Sequence, residues 1–360
     1  MCMNKTIFIV AGGTGGHILP ACELYSEMKK RKYLLKFICR KKDLKLINEL
    51  NKIKKDILFL NLRGIVRRLS SKNLISFYLL GISIIKSFIY FIIYRPDVII
   101  GMGGYITYPP LLWASIFKKH IFLFEQNSIP GIVNKLFYKK AALIFITFEY
   151  TRKFIPDAIL ISNPIRKNIR NRVPKDKAYK FFNFIKEQKV ITILGGSQGA
   201  EKINKAVENI IEKLNNKFNI IWITGKNNYY KYEKYNSSNV KVYGFLEKMN
   251  YAYSISDLII SRAGSMTLSE IAYFGVPAIF IPLKIAAENH QYYNALSFVE
   301  KEAGIIIKEE ELTPDYLENN INKLLKNKKL LLKLKRNVAR LYIKNSKKII
   351  IKEIEKRINK

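Results

Sequence analysis

Residues that could bind an anion and accept a proton lie together near the start of the chain. A hydrophobic run over residues 6–10 is followed by the sequence GGTGGH at residues 12–17, where a helical pattern begins. A short β-branched run that ends in glycines and turns helical presents backbone N–H groups at a helix N-terminus, which favours phosphate binding. Thr14 adds a hydroxyl group and His17 an imidazole beside the same loop, so we expect an anion-binding loop; a tight strand-to-helix turn without a ligand is the alternative.

Two further turns in the first half carry groups that could contact a substrate. The sequence GMGGY at residues 101–105 is a second glycine-rich turn after an apolar run, and FEQN at residues 124–127 follows another. Glu125 could act as a general base or orient a hydroxyl group, or it could only cap the turn that follows it. Asn134 is a further polar candidate, with a solvated helix face as the alternative.

The second half repeats the order of strand, glycine loop and helix. Residues 190–194 lead into GGSQGA at 195–200, and RAGSMTLSE at 262–270 again ends a strand and starts a helix. The helix N-terminus favours phosphate, and Glu270 could accept two hydrogen bonds from a ribose diol. The sequence ENHQ at residues 288–291 adds groups that suit a sugar, so the second half is expected to bind a nucleotide and a sugar.

Apolar runs that alternate with helical patterns predict how these turns are positioned. In the first half we expect a helix over 17–30 and strands at 6–10, 34–39, 57–60, 97–101, 121–123, 143–147 and 159–161. In the second half we expect a helix that ends near residue 214 and strands at 190–194, 219–224, 240–243, 258–261, 278–281 and 305–307. This pattern predicts an α/β protein with two Rossmann-like domains, whose parallel sheets face a central cleft and bind ligands at their carboxyl ends.

Several other kinds of site do not fit the sequence. Neither glycine loop has the spacing G-x-G-x-x-G, and the second strand ends in Cys39 and Arg40, where an NAD site would have an acidic residue. Neither loop ends in G-K-[ST], which argues against a Walker-type site. The three cysteines, Cys2, Cys22 and Cys39, lack metal-ligand spacing, so we expect a reduced cytosolic protein without a zinc site. We also expect no signal peptide.

The strongly basic composition is the next feature to explain. The 360 residues include 63 Lys and Arg against 28 Asp and Glu, which gives a formal net charge of +35. Such a charge suits nucleic acid, an anionic membrane surface or a phosphorylated ligand. Because Lys, Ile and Asn are abundant throughout the chain, a general compositional bias is the alternative explanation.

Residues 74–94 form the most apolar segment of the chain. As a helix the segment would be about 31 Å long at 1.5 Å per residue, which is long enough to span a membrane. Three interpretations are possible: a membrane span, an ordinary buried helix and a helix docked in the headgroup region. A span would place the turns at residues 12–16 and 101–104 on opposite sides of a membrane, although both belong to one predicted sheet. Arg67, Arg68 and Lys72 before the segment and Arg95 after it favour interfacial docking.

Taken together, these motifs resemble those of the MurG family of glycosyltransferases over nearly the whole chain. The resemblance implies a GT-B fold and an inverting transfer, without metal or other cofactor, of N-acetylglucosamine (GlcNAc) from UDP-GlcNAc to the C4 hydroxyl of undecaprenyl-diphosphate-MurNAc-pentapeptide. In peptidoglycan synthesis this step converts lipid I to lipid II. It implies an acceptor and membrane-docking domain at 1–163, a donor domain at 164–342 and a helix at 343–360 that packs back on the first domain. It also implies a peripheral location on the cytoplasmic face of the inner membrane, with other cell-wall synthesis proteins as partners.

The resemblance also assigns roles to individual residues. Donor contacts would fall on Thr14, Gly15, Gly16, Asn127, Arg166, Ser197, Leu246, Ser265, Met266, Thr267, Leu268, Ser269, Glu270 and Gln291. Leu246 would contact the uracil, Glu270 the ribose and Gln291 the sugar hydroxyls. The acceptor would contact Gly13, Gly103, Gly104, Tyr105 and Asn134, on the side of the cleft that His17 and Glu125 also line.

One departure from the family pattern bears on the catalytic base. Phe124 stands where the family usually has a histidine, so we expect His17 to be the base, with Glu125 as the second candidate. Tyr108 and Pro110 replace smaller residues, which predicts a narrower acceptor pocket. A related GT-B enzyme that glycosylates diacylglycerol is the alternative function. A nucleic-acid binder is not favoured, because the chain has none of the standard nucleic-acid motifs.

Overall fold

The computed structural model describes residues 5–31, 33–45, 53–64, 72–195 and 199–359. The expectations for Cys2, Arg67, Arg68 and Ser197 therefore fall outside the described residues. The chain forms two compact units, of which the first comprises residues 1–164 and 344–360 and the second residues 165–343. Each unit contains one parallel sheet, so the predicted α/β class with two Rossmann-like domains is confirmed.

The first unit is built on a sheet in the order β3-β2-β1-β4-β5-β6-β7. Its strands are β1 Thr6–Val10, β2 Leu34–Cys39, β3 Ile57–Phe59, β4 Val98–Gly101, β5 His120–Glu125, β6 Leu143–Ile146 and β7 Ile159–Leu160. Its helices are α1 Gly15–Lys29, α2 Lys72–Tyr94, α3 Tyr108–Ile116, α4 Ile132–Phe137 and, at the far end of the chain, α15 Ser346–Ile358.

Both faces of this sheet are buried. Ile7 and Ile9 of β1 pack in one core cluster with α1 and α15, whereas Phe8 and Val10 point to the other face and pack with residues of α2 and α3. This double burial explains why the strands are continuous apolar runs rather than alternating ones.

The second unit has the sheet order β10-β9-β8-β11-β12-β13. Its strands are β8 Val190–Leu194, β9 Asn219–Ile223, β10 Val240–Tyr243, β11 Leu258–Ser261, β12 Ala278–Phe280 and β13 Ile305–Ile306. Its helices are α5 Lys167–Arg170, α6 Lys175–Phe182, α7 Glu201–Glu208, α8 Ile211–Asn215, α9 Tyr229–Tyr232, α10 Met249–Ile255, α11 Ser265–Phe274, α12 His290–Val299, α13 Pro314–Lys326 and α14 Lys328–Arg340.

Two predicted helices differ from the observed ones. Helix α1 begins at Gly15 rather than at residue 17, so two of the four glycines belong to its first turn and the connecting turn is shorter than expected. The predicted helix ending near 214 is two helices, α7 and α8. They are separated at Asn209, whose side chain donates a hydrogen bond to the carbonyl of Lys205 at 2.7 Å, a local bond that competes with helix continuation.

Helix α2 has an unusual distribution of side chains. Its inward face carries the buried Ser76, Ser83 and Ser87, and Ser83 Oγ donates to the carbonyl of Asn61 at 3.0 Å. Most of the large apolar side chains point outward, with Phe91 in the core as an exception, and only 22% of the most apolar window is buried, so α2 is not an ordinary core helix. By length and composition it could cross a membrane, but it connects β3 and β4 of one sheet, which contradicts a span.

Candidate active site

Three turns of the first unit meet at one edge of its sheet. They follow β1, β4 and β5, and β4 lies between the other two, so their carboxyl ends are neighbours. Gly103 and Gly104 have φ values of 89° and 83°, and a Cβ on Gly104 would lie 2.9 Å from the carbonyl oxygen of Gly12. Only glycine allows the first two turns to pack this closely.

The first turn delivers its backbone to the N-terminus of α1. Thr14 is the residue before the helix, Gly15 and Gly16 form its first turn, and Gly13 has a φ of 100°. The N–H of His17 donates to the carbonyl of Thr14 at 3.2 Å, which leaves the N–H groups of Gly15 and Gly16 as the donors that this helix end would offer an anion.

His17 is held in place by an amide side chain from the third turn. Its Nδ1 lies 3.0 Å from Oε1 of Gln126, whose Nε2 donates to the carbonyl oxygen of Met102 at 3.0 Å. Because Nε2 of Gln126 must be the donor to that carbonyl, Oε1 must accept from His17. Neutral His17 therefore carries its proton on Nδ1 and its lone pair on Nε2, the form that a general base requires.

Gly103 makes this arrangement possible. A Cβ at this position would lie 2.8 Å from Nδ1 of His17 and 3.2 Å from Oε1 of Gln126. The imidazole and the amide therefore pack directly on the second turn, which fixes the plane of the His17 ring.

Glu125 is almost fully buried and is bound by the turn that follows it. Its carboxylate accepts from the backbone N–H groups of Asn127 and Gly131, both at 2.9 Å, and from Nδ2 of Asn134 at 2.8 Å. Burial raises the pKa of Glu125, and these donors oppose that effect. The contacts favour the interpretation in which Glu125 caps its turn, and Asn134 is buried rather than on a solvated helix face.

Two aromatic side chains near these turns have different environments. Phe124, where the resemblance expects a histidine, is buried with its ring centroid 4.8 Å from that of Phe145, so this position carries no titratable group. Tyr105, which follows the second turn, is partly exposed and available to a ligand.

Sequence reasoning gave no role to Arg40. The residue follows β2, next to β1 in the sheet, and its Nη2 lies 4.0 Å from the Cβ position of Gly13. Its guanidinium is paired with the fully buried Asp43, with 2.6 Å between Nη2 and Oδ1. A cation at the carboxyl end of a strand beside a glycine turn was a usable signal, as was the FEQN sequence for Gln126.

In the second unit, helix α11 starts directly after the turn that follows β11. Gly264 is the residue before the helix, so the N–H groups of Ser265, Met266 and Thr267 are the first three of α11. Leu268 differs from these three, because its N–H donates to the carbonyl of Gly264 at 3.0 Å and its side chain is in the core. Ser269 is also buried, and its hydroxyl donates to the carbonyl of Ser265 at 2.9 Å.

Glu270, in the second turn of α11, has a partner that the sequence did not reveal. The hydroxyl of Tyr253 in α10 donates to Oε2 of Glu270 at 2.8 Å. Burial raises the pKa of Glu270, whereas the bond from Tyr253 and the charge of Arg166 act in the opposite direction. Burial, followed by the nearby Glu270 carboxylate, raises the pKa of Tyr253 well above 10.

The remaining candidates of the second unit have contacts of their own. Gln291 accepts a hydrogen bond from the N–H of Leu283 at 3.0 Å through Oε1, and Leu246 is buried after β10. Arg262 forms an ion pair with Glu309 and donates to the carbonyl of Ile281, so it joins strands rather than facing a ligand. In the part of the chain that the structure describes, no group of three His, Cys, Asp or Glu side chains could hold a metal ion.

The chain has the GT-B architecture of glycosyltransferases, two units that each contain one parallel sheet with glycine-rich turns at the carboxyl ends of its strands. The chain belongs to glycosyltransferase family 28, because the family's N-terminal domain model matches residues 7–146 and its C-terminal domain model matches residues 190–354. The resemblance inferred from the motifs is thereby confirmed.

Relatives agree with this assignment over their full length. The UDP-N-acetylglucosamine--N-acetylmuramyl-(pentapeptide) pyrophosphoryl-undecaprenol N-acetylglucosamine transferase of Christiangramia forsetii is 34% identical over 359 residues, which cover 98% of each chain. The enzyme of the same name from Aquifex aeolicus is 33% identical over 325 residues, 89% of this chain and 92% of the relative. The crystal structure of Acinetobacter baumannii MurG matches with a TM-score of 0.78 and 24% identity, covering 98% of this chain and 99% of that one.

Proposed function

We propose that this chain transfers GlcNAc from UDP-GlcNAc to the C4 hydroxyl of undecaprenyl-diphosphate-MurNAc-pentapeptide, the lipid I to lipid II step of peptidoglycan synthesis. The observation that carries the proposal is the 34% identity, over 98% of both chains, to a transferase named for this donor and this acceptor. The geometry of His17 supports it independently, because the chemistry needs an oriented base.

In the proposed reaction His17 is the base. Its Nε2 takes the proton of the C4 hydroxyl as that oxygen attacks the anomeric carbon of GlcNAc. The bond from the anomeric carbon to the diphosphate breaks, UDP leaves with the electron pair, and the configuration at the anomeric carbon inverts. Gln126 keeps the lone pair on Nε2 and stabilises the imidazolium that forms, since its amide oxygen accepts from Nδ1.

The second unit would hold the donor. The N–H groups at the start of α11 would bind the diphosphate and stabilise the charge on departing UDP. Glu270 would accept hydrogen bonds from the ribose, which requires its ionised form, and the bond from Tyr253 favours that form. The assignments of Arg166, Leu246, Gln291 and the undescribed Ser197 to the donor rest on the resemblance.

The first unit would hold the acceptor. Gly13 is exposed and Gly104 is half-buried, so their backbone would be open to a lipid-linked diphosphate, whereas Gly103 is buried against His17 and Gln126. The Arg40 guanidinium beside Gly13 would add N–H donors, although its paired Asp43 carboxylate offsets its positive charge. The pairing with Asp43 orients this guanidinium, so its position does not depend on the ligand.

Transfer of labelled GlcNAc from UDP-GlcNAc to a soluble lipid I analogue tests this function. We expect product with the lipid I analogue, none with diacylglycerol, and the same rate with and without EDTA. Transfer to diacylglycerol alone would establish the alternative lipid glycosyltransferase, and loss of all activity in EDTA would contradict the metal-independent mechanism.

We also propose that α2 docks the protein on the anionic cytoplasmic face of the inner membrane. Leu74, Phe77 and Tyr78 are 72%, 56% and 69% exposed, which is unusual for apolar residues on a soluble surface. The net charge of +35 adds attraction to anionic lipids. An apolar face combined with basic charge is the composition of an interfacial helix.

Co-sedimentation with phosphatidylglycerol vesicles tests the docking. We expect binding at low salt that weakens as salt rises, and a several-fold loss in the double variant Leu74→Ser, Phe77→Ser. Leu332→Ser, in the second unit and 48% exposed, is the matched control. Absence of binding at low salt, or equal binding by all three proteins, would contradict docking through α2.

A further inference from the structure

The first unit contains an apolar cavity that the proposed chemistry does not use. The cavity has a volume of about 260 Å³ and lies between α2, the start of α3, α4 and the segment after β3. Its apolar wall is formed by Leu62, Leu80, Tyr105, Tyr108, Ile132 and Leu136.

The cavity opens to the surface instead of being closed by the core. Leu136 is 59% exposed, and Ile132 and Tyr105 are each more than two-fifths exposed. Apolar side chains that line an open cavity indicate a binding site for an apolar group.

Polar groups stand at one side of this cavity and identify the kind of ligand. Arg63 lines it and is exposed, and the Tyr105 ring that forms part of the wall directly follows the positive-φ turn of Gly103 and Gly104. A Cβ on Gly64 would lie 3.2 Å from Cε2 of Tyr105, so the segment that carries Arg63 packs on this ring. A ligand that spans these features has an anionic head at the turn and a hydrocarbon tail in the cavity.

A polyprenyl diphosphate has this chemistry, with the chain attached directly to the diphosphate. The names of the relatives include a pyrophosphoryl-undecaprenol acceptor, in which the diphosphate and the lipid chain are adjacent. A cavity of about 150 Å³ holds one benzene, so a cavity of about 260 Å³ has room for about ten carbons, or about two isoprene units.

We infer that this cavity binds the first two isoprene units of the acceptor's lipid chain, while Arg63 faces the diphosphate. The inference rests on the proposed function for the identity of the acceptor and extends it to the lipid. It gives α2 two separate faces, one that lines the cavity at Leu80 and one that carries the outward apolar side chains. The glycine turn and Arg63 would then position the diphosphate itself, and the cavity would position the lipid chain attached to it.

Calorimetric titration of the full-length protein without donor tests the cavity. The probes are inorganic diphosphate, dimethylallyl diphosphate and geranyl diphosphate, which carry no, one and two isoprene units. We expect affinity to rise at least about tenfold from the first probe to the last, because the added carbons leave water. We expect Leu136→Ser to remove most of that gain, whereas Leu136→Met keeps it.

Several results would overturn the inference. Equal affinities for the three probes would do so, as would an unchanged affinity of Leu136→Ser for geranyl diphosphate. Displacement of geranyl diphosphate by an equal concentration of dihexanoyl-phosphatidylglycerol would instead identify a membrane-lipid site. Leu332→Ser is the control for a surface leucine, and its affinities must match those of the unmodified protein.

The outcome is separable from that of the proposed function. GlcNAc transfer without chain-length dependence would remove the cavity assignment and leave the transferase. Chain-length-dependent binding without transfer to the lipid I analogue would support the cavity and remove the proposed reaction.

Discussion

Replacing Gln126 by glutamate keeps an oxygen beside Nδ1 of His17 but gives it a negative charge. In the native protein the two atoms are 3.0 Å apart, and the other end of the amide donates to the carbonyl of Met102 at 3.0 Å. The negative charge of the glutamate would stabilise the imidazolium form of His17. As the pH is lowered, His17 would therefore become protonated, and unable to act as a base, at a higher pH than in the native protein. The acid limb of the kcat/KM profile therefore moves to higher pH.

The size of this movement follows from two opposing terms. A unit charge 3.0 Å away contributes about 5 kcal/mol at an effective dielectric constant of about 20. Much of this is offset, because Gln126 is buried, the new carboxylate must leave water, and its second oxygen faces the Met102 carbonyl without a donor. We expect a net displacement of about one to two pH units, with a plateau rate within about threefold of native.

The companion variant Gln126→Leu removes the acceptor altogether. Loss of a hydrogen bond to a group that becomes charged costs about 1.5–3 kcal/mol, so kcat falls by about 10-fold to 100-fold. The KM for UDP-GlcNAc stays close to native, because the Gln126 side chain contacts His17 and Met102 and is not among the residues assigned to the donor.

The assay is the initial rate of GlcNAc transfer between pH 5 and pH 9, with melting temperature as the control for folding. Nitrogen-15 NMR adds a direct measurement, because the chain has only three histidines and the protonated nitrogen of each can be assigned. An acid limb in Gln126→Glu that coincides with the native one, or a free enzyme in which His17 carries its proton on Nε2, would refute the reasoning. The displacement of the acid limb must also be absent when Gln126→Glu is combined with His17→Ala and the residual activity is measured.

Three further predictions concern other groups, two in the first unit and one in the second. Gly103→Ala should reduce turnover at least about tenfold and destabilise the fold by about 1–3 kcal/mol, because the φ of Gly103 is 89° and the new Cβ would meet the His17 imidazole. Gly81→Ala is the control in thermal unfolding and should not destabilise the fold, because its new Cβ would meet nothing within 4 Å. Tyr253→Phe should raise the pKa of Glu270 further, because the carboxylate loses a hydrogen-bond donor. As the pH is lowered from 8 to 5, the KM of the variant for UDP-GlcNAc should therefore start to increase at a higher pH than in the native protein and should be about threefold to tenfold higher at pH 5. An unchanged pH dependence of the KM would contradict the role of Glu270 at the ribose. Glu125→Gln should lower the free energy of unfolding by about 1–3 kcal/mol and keep the turnover of folded enzyme within about tenfold, whereas a loss above about 100-fold would restore Glu125 as the base.

The sequence was sufficient to locate the turns but not the side-chain pairs that organise them. Glycines at residues 103 and 104 after an apolar run predict a turn, because few other residues adopt its positive φ. The role of Gln126 depends on the Met102 carbonyl, 24 residues earlier in the turn after the neighbouring strand β4, and no local pattern shows which amide end faces it. Glu270 could be predicted to bind a ligand from its place on α11, whereas its bond to Tyr253 depends on how α10 packs.

Tertiary packing decided two features that the sequence did not show. Gly15 and Gly16 have low helix propensity, yet the structure includes them in α1, since the packing of the whole helix outweighs two unfavourable residues. The outward apolar side chains of α2 could be counted in the sequence, but the buried serines that define its inner face are visible only once Ser83 meets the carbonyl of Asn61.

The last helix of the chain closes the core of the first unit. Ile350, Ile351, Ile354 and Ile358 of α15 are almost fully buried in the cluster that contains Ile7 and Ile9 of β1. The second unit, residues 165–343, is thus an insertion between two pieces of the first. During translation the first sheet emerges early, but the part of its face that α15 covers stays open until that helix leaves the ribosome, while the inserted unit can complete its own core first.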